Sequence, residues 1–110
     1  MNVLVINAGS SSLKYQLLNP ATGELLLEGN LDTNTSPDAE KIFDQMAQRF
    51  DHLVLNMEKL DYISSAGLRV LKRLHMAMRK KDGTMVLKNV NKLVMEVFEI
   101  TGFVGLLKFT

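Results

Sequence analysis

Two adjacent hydroxyls, Ser64 and Ser65, stand between an apolar run at residues 53–56 and a stretch of helical periodicity. Two kinds of chemistry suit serines there. One is capping, in which the side-chain oxygen accepts a bond from an orphan N–H of the first helical turn. The other is phosphorylation, which would place roughly −1.5 to −2 charges at the positive end of a helix dipole. Local physics leaves both open. Nucleophilic catalysis is not supported: His75 follows Ser65 by ten residues on the same helix, nearly three turns away and out of reach as a base.

Three further groups could do chemistry. Residues 28–36 collect Asp32, Thr33, Asn34 and Thr35 among other turn formers. They read either as a plain strand-to-helix loop or as a polar recognition loop, close to the serines if the preceding strand pairs beside residues 53–56. Residues 7–14 carry Asn7, Ser10, Ser12 and Lys14 among small residues, where backbone N–H groups can cradle a phosphate with Lys14 as counter-charge, although ordinary hairpin loops look similar. Arg69, Lys72, Arg73, Arg79, Lys80 and Lys81 make the helix after Ser65 basic, with no acid before Asp82. That is a solvated face or a surface for an acidic protein. No aromatic platform or recognition motif supports nucleic acid. No metal site is expected, since His52 and His75 are isolated and the carboxylates lack ligand spacing.

The elements that must position these groups follow from periodicity. Residues 3–6, 13–18 and 24–29 read as three short strands joined by turn-rich loops, hence an antiparallel meander. Val3 to Ile6 is expected to pair on the far side of residues 13–18, or on another molecule, because an apolar edge invites association. From Ser36 the period becomes 3.6. Ser36 suits an N-cap, Pro37 the first turn, and Ala39, Ile42, Phe43, Met46 and Phe50 one buried face. Residues 52–56 read as a buried strand. Residues 65–81 follow as a helix with Leu68, Leu71, Leu74 and Met78 inward, ended by Asp82 and Gly83. Residues 84–87 make another strand. Asn91 starts a short helix, with Leu93, Val94, Val97 and Phe98 inward, that stops near Gly102; residues 103–109 form a last strand. Strands alternating with helices imply an α/β sheet with helices packed on it.

At 110 residues, 46% apolar and 23% charged, the chain is one domain of ordinary globular composition. Zero cysteines exclude disulfides, thiolate zinc and cysteine catalysis. The net charge of +1 predicts neither a nucleic-acid nor a membrane partner. No apolar run approaches bilayer length and no signal peptide is evident, so a soluble cytoplasmic protein is expected. Residues 1–23 contain one charged side chain, Lys14, whereas the rest hold all the others, so the front looks built on a different plan.

Gly29-Asn30-Leu31-Asp32, then the run from Ile63 through Ser64, Ser65, Ala66, Gly67, Leu68 and Arg69 to Leu71, and finally Thr101-Gly102-Phe103 resemble the STAS family of anti-sigma factor antagonists over residues 24–110. The resemblance implies a mixed β-sheet with helices on one side. It also implies binding to an anti-sigma factor serine kinase, a contact abolished when a serine in an Asp-Ser-Ser-Gly motif is phosphorylated. That serine falls on Ser65, with Ser64 as the alternative; Ser64 stands where the motif has Asp, and Ala66 where it has Ser. Asp32 matches the family's binding-loop acid. The implied contact set is Asp32, Thr33, Asn34, Thr35, Ser64, Gly67 and Arg69. No cofactor is implied, ATP belonging to the partner kinase.

Residues 2–23, on the run from Asn2-Val3-Leu4-Val5-Ile6-Asn7 through Lys14 to Leu18, are similar instead to the opening of an acetate kinase, whose first phosphate loop Asn7, Ser10, Ser12 and Lys14 match. The rest of that two-domain enzyme has no counterpart, so the loop is vestigial and phosphotransfer is not expected. A junction near residues 23–26 implies a chimera, with a kinase-like hairpin supplying the first strands of a STAS core. The expectation is therefore a non-enzymatic, phosphorylation-switched binding module, possible alternatives being a chimera with no retained partner or an accessory subunit of a lipid transporter. A homodimer through the N-terminal strand is an added expectation.

Overall fold

A computed structural model describes residues 13–19 and 21–110, and the backbone of residues 5–7. Six strands form one sheet in the order β1 (Val5–Asn7), β2 (Leu13–Asn19), β3 (Glu24–Leu31), β4 (His52–Ile63), β5 (Thr84–Lys88) and β6 (Lys108–Phe109). The first three pair antiparallel, as short loops require, and β3 to β6 pair parallel. Between them run α1 (Ser36–Arg49), α2 (Ser65–Lys80) and α3 (Lys92–Thr101). Each parallel crossover steps to the next strand in the same direction, and right-handed crossovers of that kind leave all three helices on one face.

Register makes the two faces explicit. Leu17, Leu25, Leu55, Leu87 and Phe109 align across β2 to β6 on the helix side. Phe43 of α1 meets the Tyr15 ring edge-on at 6.5 Å, and Phe98 of α3 meets Phe109 at 5.4 Å. The neighbouring row, Gln16, Leu26, Asn56 and Lys88, faces the other way. There a polar network bridges three strands: Asn56 Nδ2 and Lys88 Nζ both donate to Glu24 Oε2 at 3.2 Å, and Asn89 Nδ2 donates to Asn56 Oδ1.

The expected meander is present. Residues 5–7 pair with β2, whereas Val3 and Leu4 lie outside the described residues. Asn19 organises the hairpin turn by accepting from Ala21 N and Gly23 N, and Gly23 takes φ +71°.

Several boundaries differ from expectation. The strand expected over 52–56 runs on to Ile63 and enters α2 without a loop. Its partner β3 is shorter, and two register shifts place the extra residues of β4 in bulges near Met57 and Asp61. Ser36 does not cap α1; it is the first helical residue, and its hydroxyl donates to the Asp32 carbonyl. Leu93 is 58% exposed, because α3 is apolar on more than one side and its packing chooses Val94 and Phe98. The last strand shrinks to Lys108–Phe109, preceded by a 3-10 turn over Phe103–Gly105.

Candidate functional site

The candidate site lies at the carboxyl ends of the adjacent parallel strands β3 and β4, where loops collect in open α/β sheets. Leu31 pairs with Ile63 at this edge, and the Ser64 N–H donates to the Leu31 carbonyl at 3.0 Å. The loop after β3 and the start of α2 are therefore fixed side by side.

The loop is tied together by one carboxylate. Asp32 Oδ1 accepts from the N–H groups of Asn34 at 2.9 Å and Thr35 at 3.1 Å. The Thr35 hydroxyl accepts from Asp32 N and donates to the Asn30 carbonyl. These bonds present Thr33 and Asn34 to solvent and leave Asp32 half-buried. Thr35 departs from its expected role as a contact residue: it is 1% exposed, and its hydroxyl is spent inside the loop.

Ser64 and Ser65 divide their roles. Ser64 is the N-cap of α2, but only through its backbone, the carbonyl accepting from Leu68 N at 2.9 Å. The expected side-chain cap is absent, and Ser64 Oγ is buried with no hydrogen-bond partner among the described residues. Ser65 is exposed on the first turn, which contains no acidic residue. A phosphoryl group there would meet a positive helix end with no competing carboxylate in that turn.

Gly67 also departs from the expected contact set, because it is buried. A Cβ at this position would lie 2.6 Å from the Leu31 carbonyl oxygen and 2.9 Å from Ile63 Cγ1. The glycine thus lets α2 seat directly on the ends of β3 and β4. Arg69 is exposed one turn beyond Ser65. Tyr62 escaped the sequence reading: it is 47% exposed two residues before Ser64 and pairs across from Asn30. Its only signal was a large ring at a position that the overlooked part of β4 turns outward.

The basic helix resolves into two sets. Arg73 turns toward α1 and pairs with Glu40 at 3.0 Å and Asp44 at 3.5 Å. Lys81 donates to the Ala47 carbonyl at 2.6 Å and to Phe50 O at 3.2 Å, at the negative end of α1. Arg69, Lys72, Arg79 and Lys80 stay exposed.

Lys14 is exposed on β2 opposite Glu28; Ser10, Ser12 and the Asn7 side chain lie outside the described residues. No cluster able to hold a metal ion exists among the described residues, nor any helix long and apolar enough to cross a membrane.

The STAS domain pattern matches residues 19–110. A candidate anti-sigma factor antagonist of Bordetella bronchiseptica, BtrV, is 40% identical over 75 residues, which cover 64% of this chain and 65% of that protein. The chain thus spans just under two thirds of that relative. The unphosphorylated anti-sigma factor antagonist SpoIIAA superposes with a TM-score of 0.71 at 15% identity, covering 89% of this chain and 87% of that one. A short N-terminal segment matches a different protein: the acetate kinase of Fusobacterium nucleatum is 66% identical over 29 residues, 26% of this chain but 7% of the enzyme.

Proposed function

The chain belongs to the STAS domain family, and on that premise we propose that residues 1–110 act as one non-enzymatic binding module of the anti-sigma factor antagonist type. In this reading Ser65 is the switch. Its unmodified form docks an anti-sigma factor serine kinase through Ser65, Thr33, Asn34 and Arg69, with Asp32 holding the loop in shape. The partner supplies ATP, and the proposed setting is cytoplasmic. Phosphorylation adds roughly −1.5 to −2 charges and three acceptor oxygens at the centre of that surface. It would leave the core undisturbed while the contact face changes sign.

The observation that carries the reading is the exposure of Ser65 at the head of α2, beside a loop whose Thr33 and Asn34 point outward. The kinase-like front adds no activity here. Phosphoryl transfer needs nucleotide, metal and acceptor positioned by several elements, and the acetate kinase match spans 7% of that enzyme.

The test is a pull-down with three forms: the unchanged chain, Ser65→Ala and Ser65→Asp. One serine kinase retained by the first two and lost with the third is expected, with phosphate mapped to Ser65 after incubation with that kinase and ATP. Equal retention by all three, or phosphate mapped elsewhere, would overturn the switch.

A further inference from the structure

At the opposite end of α2 the sheet is incompletely covered. β6 pairs only with Val86 and Leu87, so among the described residues no strand lies beyond Thr84 and Met85 on that side of β5. The last turns of α2 overhang this gap. The result is a cleft of about 280 Å³ lined by residues that include His75, Met78, Arg79, Met85, Leu106 and Lys108. That volume equals roughly nine waters at about 30 Å³ each, enough for a compact ligand.

Its chemistry is one-sided. Met78 and Met85 are 1% and 4% exposed and give it an apolar floor that can adapt in shape. Arg79 and Lys108 bring positive charge, and among the described residues the lining includes no carboxylate. Among the described residues neither cation lies within ion-pair distance of an acid, unlike Arg73, Lys81 and Lys88. The negative end of the helix is largely spent as well. The Met78 carbonyl accepts from Gly83 N at 2.7 Å, and the Arg79 carbonyl from Asp82 N at 3.0 Å. The Thr84 hydroxyl is taken by His52 Nδ1 at 2.8 Å. An apolar floor beside two unpaired cations suits one ligand class.

The geometry points to a binding site for a small amphiphilic anion, a phosphate or carboxylate head on a short apolar tail, in the cleft between α2 and the β5–β6 edge. The tail covers Met78 and Met85, and the Arg79 guanidinium takes two oxygens of the head in its planar fork. The site is remote along α2 from Ser65 and does not depend on the switch.

Methyl NMR of the methionines in the full chain tests it. The probes are hexyl phosphate, hexanoate, hexanol and inorganic phosphate. Saturable shifts at Met78 and Met85 are expected with one or both amphiphilic anions, while Met46 on α1 stays still. The tighter of the two identifies the head group. Hexanol and inorganic phosphate should bind at least about tenfold more weakly, and Arg79→Gln should weaken the anion about tenfold, since a charge-assisted bidentate contact is lost. Arg79 is exposed, so this variant retains the fold. Hexanol or bare phosphate matching the amphiphiles, an unchanged affinity in Arg79→Gln, or no saturable shift would overturn the site.

Discussion

The front of the molecule, β1 and β2, and the remainder, β3 to β6 with their helices, reach the same core by different means. The front needs little. β2 alternates Leu13, Tyr15 and Leu17 inward with Lys14, Gln16 and Leu18 outward, and an antiparallel hairpin does the rest. The back is particular. It uses two bulges, a glycine under α2, an Asp-centred loop and ion pairs between α1 and α2. A strand at the antiparallel side of a sheet is interchangeable provided its alternation and register fit, whereas parallel crossovers depend on specific contacts at their ends. The join leaves one mark. Tyr15 is 1% exposed and packs well, yet its hydroxyl has no hydrogen-bond partner among the described residues. That hydroxyl belongs to the part of the chain similar to acetate kinase, and the described core offers it no partner.

The sharpest way to break this comparison is Tyr15→Ala. If β2 is a full member of the core, truncating a buried aromatic costs about 3–5 kcal/mol in chemical unfolding. A loss below about 1 kcal/mol would mean that the front is decoration. Next in size, Gly67→Ala probes the particularity of the back. Its Cβ would press on the Leu31 backbone and the Ile63 side chain, so a loss of about 1–3 kcal/mol is expected. Tolerance of this alanine would show that the crossover is as permissive as the hairpin.

What the sequence disclosed follows the same division. Local signals were legible. Asn91 caps α3 by accepting from Val94 N at 2.8 Å, and Gly102 ends that helix at φ +80°. The meander was legible because its short apolar runs are separated by turn-rich segments. The second half of β4 was not: its bulges space the buried residues Leu55, Met57, Leu60 and Ile63 by two and then by three, which disguises a strand. Nor could the basic run along α2 reveal its two structural members, because the acids that hold Arg73 lie on another helix. At the candidate site, exposed Ser65 beside its loop was legible from order and spacing. The backbone-only cap at Ser64 was not, since it depends on the burial of Ser64 Oγ away from the first helical turn.

The smallest expected effect is also the most discriminating. Tyr15→Phe removes the unpaired hydroxyl and keeps the ring against Phe43. At neutral pH it should leave stability unchanged or raise it by about 1 kcal/mol, the cost of an unmade buried hydrogen bond. Alkali separates the two forms further. Burial, and then the Asp38 carboxylate, hold the Tyr15 hydroxyl far above the usual tyrosine range. Its folded pKa is therefore raised over the unfolded value near 10. The folded chain keeps the proton while the unfolded chain releases it. This contribution is whole below about pH 10 and is lost as pH rises further. Unfolding curves for the unchanged chain and Tyr15→Phe should thus run parallel to about pH 9.5 and diverge above it, the phenylalanine form keeping more of its stability. Parallel curves to pH 11 would mean that Tyr15 is hydrated or paired, and the seam between front and back would vanish with its orphaned hydroxyl.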